Sequence, residues 1–393
     1  MTVGLVLAGG GARGAYEAGV LAELLPWLEE RGERPTVLVG TSVGALTAAF
    51  LASVAHLPAR EAVEQLLARW GAVTQGRVIR PILRHQSPRT LLRYLGEFAG
   101  MPAVRLESFL DASPLRQTVS DWLDWKPVRA NLEAGRLDAL AVVATSARTE
   151  RAVVFVQARE DTPVRDATLV DYVREPLGDE HVLASAAIPV FFRSVRVGRE
   201  PDAEWFFDGG TRLNTPIKPA LDLGVDRVVV VATHAPFHRP ERETAGAQRS
   251  PDFADGALEL VQATLVDPLI QDLRNLGKIN LLADRLGPER AKPYRTVPYV
   301  FAGPHEVGRL GSVVAEVYAR HFAGPVGSVR TPDVALLTRL LGGTSPAHAE
   351  LLSYLFFQPQ FLSQAIAAGR QDARDLLASG DPWRTGPIER PFR

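Results

Sequence analysis

Two strand–glycine turn–helix units within the first fifty-odd residues restrict this chain's fold more than any other feature. Val3 to Ala8 is an apolar, β-branched run; Gly9-Gly10-Gly11-Ala12-Arg13-Gly14 follows, and Ala15 to Glu30 reads as a helix. Thr36 to Val39 then runs into Gly40-Thr41-Ser42-Val43-Gly44, with Ala45 to Ala55 as the second helix. Such units in succession imply parallel strands, so both turns lie at the carboxyl edge of one sheet, where open α/β sheets bind ligands.

The second turn has the Gly-x-Ser-x-Gly pattern of a nucleophile elbow, with Gly40 and Gly44 flanking Ser42. Such a bend holds the serine hydroxyl at a helix N-terminus, where the dipole favours developing negative charge. The same residues also read as an ordinary N-cap turn, since Ser and Thr are preferred caps. The first turn fits the dinucleotide pattern Gly9-x-Gly11-x-x-Gly14, but that fold needs an acidic residue ending the second strand, and none is there. The competing reading is an oxyanion hole built from the N–H groups of this turn. A phosphate-binding Walker loop is excluded, because no Gly-Lys-Ser/Thr follows.

A chain of 393 residues allows two or three domains, or one large α/β domain with additions. Its net charge of −1 argues against a nucleic-acid partner. The absence of cysteine removes disulfides, thiolate metal sites and a cysteine nucleophile. The N-terminus enters a strand without a basic or cleavable apolar segment, and no apolar run reaches the length of a membrane span. A cytoplasmic protein is expected, with no metal and no cofactor.

Further along, Glu61 to Trp70, Thr90 to Phe98 and Pro114 to Trp122 have helical spacing. Arg80, Arg84, Arg89 and Arg93 form a stripe that reads as a solvated face, or as a contact for anionic lipid headgroups. Residues 138 to 146 and 152 to 157 are strands around a turn, and Val182 to Ala187 is a short helix. Trp205-Phe206-Phe207 is a strand ending at Asp208-Gly209-Gly210, and Arg227 to Thr233 is the most strand-like run. A polar, proline-rich loop covers about 234–255. Leu258 to Leu286 is helical, Tyr299 to Ala302 a last strand, and Ser312–Phe322, Val334–Leu341 and Ala347–Ala378 are helices, the last broken near Pro359. Leu355, Phe356, Phe357, Phe361 and Ile366 give that final segment an apolar face.

A serine nucleophile needs a base. Ser42, Asp208 and His234 satisfy the hydrolase order of serine, acid, histidine, but there the elbow follows several strands and here it follows one. Asp208 alone is the better candidate: it ends an aromatic strand, and burial beside Ser42 would raise a carboxyl pKa from its usual ~4.

These residues resemble the patatin-like phospholipases. The likeness is carried by Gly9-Gly10-Gly11-Ala12-Arg13-Gly14, by Gly40-Thr41-Ser42-Val43-Gly44, by Ala184-Ser185-Ala186-Ala187-Ile188-Pro189 with Phe192, and by Asp208-Gly209-Gly210 with Asn214 and Pro216. The turn after Thr145 departs from the family's usual Thr-Asp/Asn-Leu. The resemblance implies a three-layer α/β fold with a mainly parallel central sheet flanked by helices. The catalytic domain would span 1–310, with a helical C-terminal region over 311–393 packed on the core. It implies a Ser42–Asp208 dyad, an oxyanion hole at Gly9, Gly10 and Gly11 with Arg13 close by, and metal-independent hydrolysis of fatty-acyl esters. The partner would be a lipid, with transient contact to a membrane surface. A carboxylesterase or acyl-thioesterase using the same site is the alternative, and a nucleotide-binding module at the Gly9 turn a more distant one.

Overall fold

The computed structural model describes residues 1–80, 108–164, 169–237, 250, 252–323, 332–341 and 348–388. The expected helix at Thr90 to Phe98, Arg84, Arg89 and Arg93 of the basic stripe, and most of the polar loop after Phe237 lie outside these residues.

Among the described residues, nine strands form one sheet: β1 (Val3–Leu7), β2 (Val37–Thr41), β3 (Ala139–Ser146), β4 (Ala152–Ala158), β5 (Val170–Arg174), β6 (Val195–Val197), β7 (Glu204–Asp208), β8 (Arg227–Val231) and β9 (Tyr299–Ala302). The main path runs β5-β4-β3-β2-β1-β8-β9, with β7 joined to β3 and β6 to β7. β1 pairs in parallel with β2 and β8, β2 with β3, β4 with β5, and β8 with β9. β3 is antiparallel to β4 and β7, and β6 to β7.

Strand residues alternate between two buried faces, as the two-residue period requires. Leu5, Leu7, Leu38, Leu140, Val142 and Val229 point into one core, with helices α1 (Gly14–Glu30), α2 (Val43–Ser53) and α3 (Ala59–Gly71). Val6, Val37, Val39, Ala141, Val143 and Val228 point into the other, against Ile217, Leu269, Leu273 and Leu276. The result is three layers, with the sheet in the middle.

The C-terminal helix Pro359–Ala378 lies against α1. A Cβ on Gly19 of α1 would sit 2.1 Å from the Ile366 carbonyl, and one on Gly369 would sit 2.1 Å from the Tyr16 carbonyl. Only glycine on both helices permits this backbone approach. Phe356 and Phe361 are fully buried in the same core as α1. The break in the final helical stretch comes earlier than Pro359: a helix ends at Leu352, and Ser353 to Gln358 run without helix. Strands β5 and β6, absent from the sequence reading, are short and partly exposed, so they lack the apolar alternation that marks a strand. Among the described residues, no helix is long and apolar enough to cross a membrane.

Candidate active site

The site is assembled by β3, which acts as a ruler. β2 runs parallel along one edge of it and stops where Thr41 pairs with Val143. β4 occupies the opposite edge, pairing Val154 with Val143 and Val153 with Ala144. β7 therefore takes the β2 edge beyond the point where β2 ends, and it arrives from the opposite direction, with Asp208 against Ala144. The ends of β2 and β7 meet head-on, and that brings Ser42 and Asp208, distant in sequence, to one place.

Ser42 has φ 56 and ψ −123, a left-handed backbone that costs a non-glycine residue of order 1–3 kcal/mol. Its surroundings dictate the bend. A Cβ on Gly44 would lie 2.4 Å from the Leu7 carbonyl oxygen, so α2 packs directly against the end of β1. The Ser42 N–H donates to Ser185 Oγ at 2.8 Å, and Ser185 Oγ donates to the Val143 carbonyl at 2.5 Å. Ser185 is fully buried and ties the elbow to the ruler strand. It stood in one of the sequence blocks but carried no assigned role, because its two partners are far from it in the chain.

Asp208 is 6% exposed, lies beside the Ser42 side chain, and accepts the Gly210 N–H at 2.7 Å. Burial raises its carboxyl to about 6, while the neighbouring Ser42 hydroxyl and the Gly210 N–H hold it back from rising further. The cost of burying the charge exceeds what two donors return. The ionised fraction, the form able to take a proton from Ser42, rises through that value. A reaction that needs Asp208 ionised should therefore climb about tenfold per pH unit below roughly 6 and level off above it, as a kcat/KM profile would show. Stability runs the other way. An unfolded carboxyl titrates near ~4, so the contribution of the protonated group is complete below that pH and is lost as pH rises to about 6.

The glycine turn is placed as expected, and Gly11 and Ser42 line one cavity. Two of its members need correction. The Gly9 N–H donates to the Asn214 carbonyl at 3.1 Å, so it is not available to an oxyanion. Among the described residues, no partner takes the N–H of Gly10 or Gly11, whereas Ala12 N–H donates to the Tyr354 carbonyl. Val43 N–H opens α2 and has no intrahelical partner by position, which adds a donor that the sequence reading lacked.

Arg13 lines a different cavity from the one Ser42 lines. It is 1% exposed and donates through Nε to Ser353 Oγ at 2.7 Å, and through Nη2 to Glu350 Oε1 at 2.7 Å and to the Glu350 carbonyl at 3.0 Å. It also lies 4.0 Å over the Tyr354 ring. Arg13 thus clamps the C-terminal segment onto the glycine turn. His234 belongs to the same cluster. A guanidinium only donates, so His234 Nε2 accepts from Arg13 Nη1 at 3.0 Å and meets the Tyr354 hydroxyl as well. Its Nδ1 therefore carries the proton and donates to Thr233 Oγ1 at 3.2 Å. Burial, then the neighbouring cation, holds its pKa well below the usual range. Both nitrogens are engaged away from Ser42 and Asp208, against the triad arrangement. A Cβ on Gly11, where φ is +56, would lie 2.2 Å from the Tyr354 carbonyl oxygen, so the turn needs glycine there.

From Ser42 an apolar cleft opens, part of it to solvent. Trp70, Trp122, Val119, Phe192, Leu355 and Phe357 are among its walls, and Trp70 and Trp122 meet edge-on with ring centroids 5.6 Å apart. Among the described residues of the lining, Ser42 and Thr118 carry the hydroxyls, the Thr118 hydroxyl donating to the Arg77 carbonyl at 2.6 Å, and none is charged.

The family model for patatin-like phospholipases matches residues 5–221, more than half of the chain and all the strands that build this site. No curated protein matches in sequence. Among solved structures, VipD from Legionella pneumophila aligns at 16% identity with a TM-score of 0.37, covering 96% of this chain and 67% of that one. On the strength of the family match, with the glycine turn, elbow and Asp208 turn inside it, the chain belongs to the patatin-like phospholipases, a family of lipid acyl hydrolases.

Proposed function

We propose that the protein hydrolyses fatty-acyl ester bonds of phospholipids or related lipids, with Ser42 as nucleophile and Asp208 as its base. The observation that carries this reading is the head-on meeting of β2 and β7 beside an apolar cleft. Ser42 Oγ attacks the ester carbonyl as its proton passes to the Asp208 carboxylate. The N–H groups of Gly10 and Gly11 face the developing oxyanion, with Val43 N–H a further donor. Collapse of the tetrahedral species expels the alcohol, which takes the proton from Asp208 and leaves an acyl-Ser42 ester. Water then attacks that ester, giving its proton to Asp208, and the fatty acid departs as Ser42 regains its hydrogen.

A carboxylesterase or acyl-thioesterase would use the same steps; the apolar lining favours a long acyl chain over a short one, and comparing phospholipid vesicles with acyl-CoA separates the lipid from the thioester. The test is labelling with a fluorophosphonate followed by mapping of the modified residue. Modification at Ser42, unaffected by a chelator and blocked by prior incubation with a fatty-acyl ester, is the expected result. A label at any other residue, or none, would sink the proposal.

A further inference from the structure

The family match ends at residue 221, yet two walls of the cleft come from far beyond it. Leu355 and Phe357 line the same cavity as Ser42, and both are buried. The segment that carries them is pinned at two points. On one side the Tyr354 carbonyl accepts the Ala12 N–H at 2.9 Å, and Arg13 holds Glu350, Ser353 and Tyr354. On the other, the Gln75 side-chain amide bonds the backbone twice: Nε2 donates to the Leu355 carbonyl at 3.0 Å, and Oε1 accepts the Phe357 N–H at 2.9 Å. A non-helical stretch is thereby hydrogen-bonded in place on both sides, with Leu355 and Phe357 lining the cleft.

We infer that residues 355–357 are part of the acyl-binding site, that Leu355 and Phe357 set which acyl chains the enzyme accepts, and that Gln75 is the positioning residue that holds them there. This rests on reading the cleft as the acyl site. Tyr354 abuts Gly11, so Leu355 stands near the reacting end, and Phe357 lies two residues further along, at the other end of the Gln75 clamp. A short acyl group need not reach Phe357, whereas a long one packs against it. A contact worth even one or two methylenes shifts selectivity by about tenfold or more.

The test compares kcat/KM for p-nitrophenyl dodecanoate and p-nitrophenyl butyrate in the full-length protein, with fluorophosphonate labelling of Ser42 followed in parallel. Phe357→Leu should lower the dodecanoate-to-butyrate ratio about tenfold. Gln75→Ala should shift it the same way, and because Gln75 is only half-buried this variant carries the test independently of any packing lost at position 357. Equal losses on both esters, or a ratio within about twofold of wild type in both variants while Ser42 still labels, would overturn the inference. Failure of Ser42 to label in the wild type would instead overturn the underlying dyad reading.

Discussion

Ser42→Ala and Asp208→Asn should each lower ester turnover by about 10⁴-fold or more, the scale seen when a member of a nucleophile–base unit is removed. The two variants act on one step. Without Oγ there is nothing to acylate, and an amide at 208 cannot take the proton that leaves it. What separates a catalytic role from a structural one is the accompanying stability. Asp208 is buried, and its carboxyl titrates at about 6, so at pH 8 the folded protein carries an ionised group that burial disfavours. Asp208→Asn removes that charge while an amide oxygen can still accept the Gly210 N–H. At pH 8 the variant should therefore unfold at the same or higher denaturant concentration than wild type, even as activity disappears. Ser42→Gly should be inactive as well, and more stable by about 1 kcal/mol, because glycine adopts φ 56 without strain. Opposite signs for activity and stability are the mark of a site held under tension for function. An Asp208→Asn protein that keeps substantial activity, or that loses activity only because it unfolds, would remove the carboxylate from the mechanism.

Arg13 carries the second large effect, on stability. Its guanidinium is buried and paired with Glu350 at 2.7 Å, and the side-chain exposures are 1% and 11%. Removing one partner of such a pair leaves the other charge buried and uncompensated, a loss of about 3–5 kcal/mol. Arg13→Met should therefore shift the denaturation midpoint strongly. It should also loosen the turn that presents Gly10 and Gly11, since Ala12 and Tyr354 are joined only a residue away. The double variant Arg13→Met/Glu350→Leu should recover much of the stability, because no lone charge remains. A loss under about 1 kcal/mol for Arg13→Met would mean that the cluster is not what holds the C-terminal segment to the turn.

Much of the site was legible in the linear chain because its signals are local. A β-branched run followed by glycines and then an alanine-rich helix can be recognised within a dozen residues, and both the Gly9 turn and the Ser42 elbow stand where that pattern puts them. Asp208 was legible as the end of an aromatic strand followed by two glycines. The tertiary structure alone decided how these parts serve one another. That β7 enters antiparallel on the β2 edge of β3 is a matter of register, and strand periodicity is silent about which strand lies next door. The fate of individual donors is equally nonlocal. Gly9 and Gly10 are neighbours with the same chemistry, yet among the described residues the first alone has its N–H taken, by a carbonyl at Asn214.

Arg13 makes the same point most sharply. Its place inside the glycine turn suggested a partner for the oxyanion, whereas its side chain bonds Ser353, 340 residues away, and lines another cavity. The chain by itself determined which residues could carry chemistry: an alcohol on a forced bend, a carboxylate at a strand end, and glycine amides beside them. The folded protein decided which of those groups face the reaction, and it brought Leu355 and Phe357 to the cleft as well. The reason is physical. Backbone conformation answers to neighbours a few residues away, while hydrogen-bond partners and cavity walls answer to whatever packing brings near.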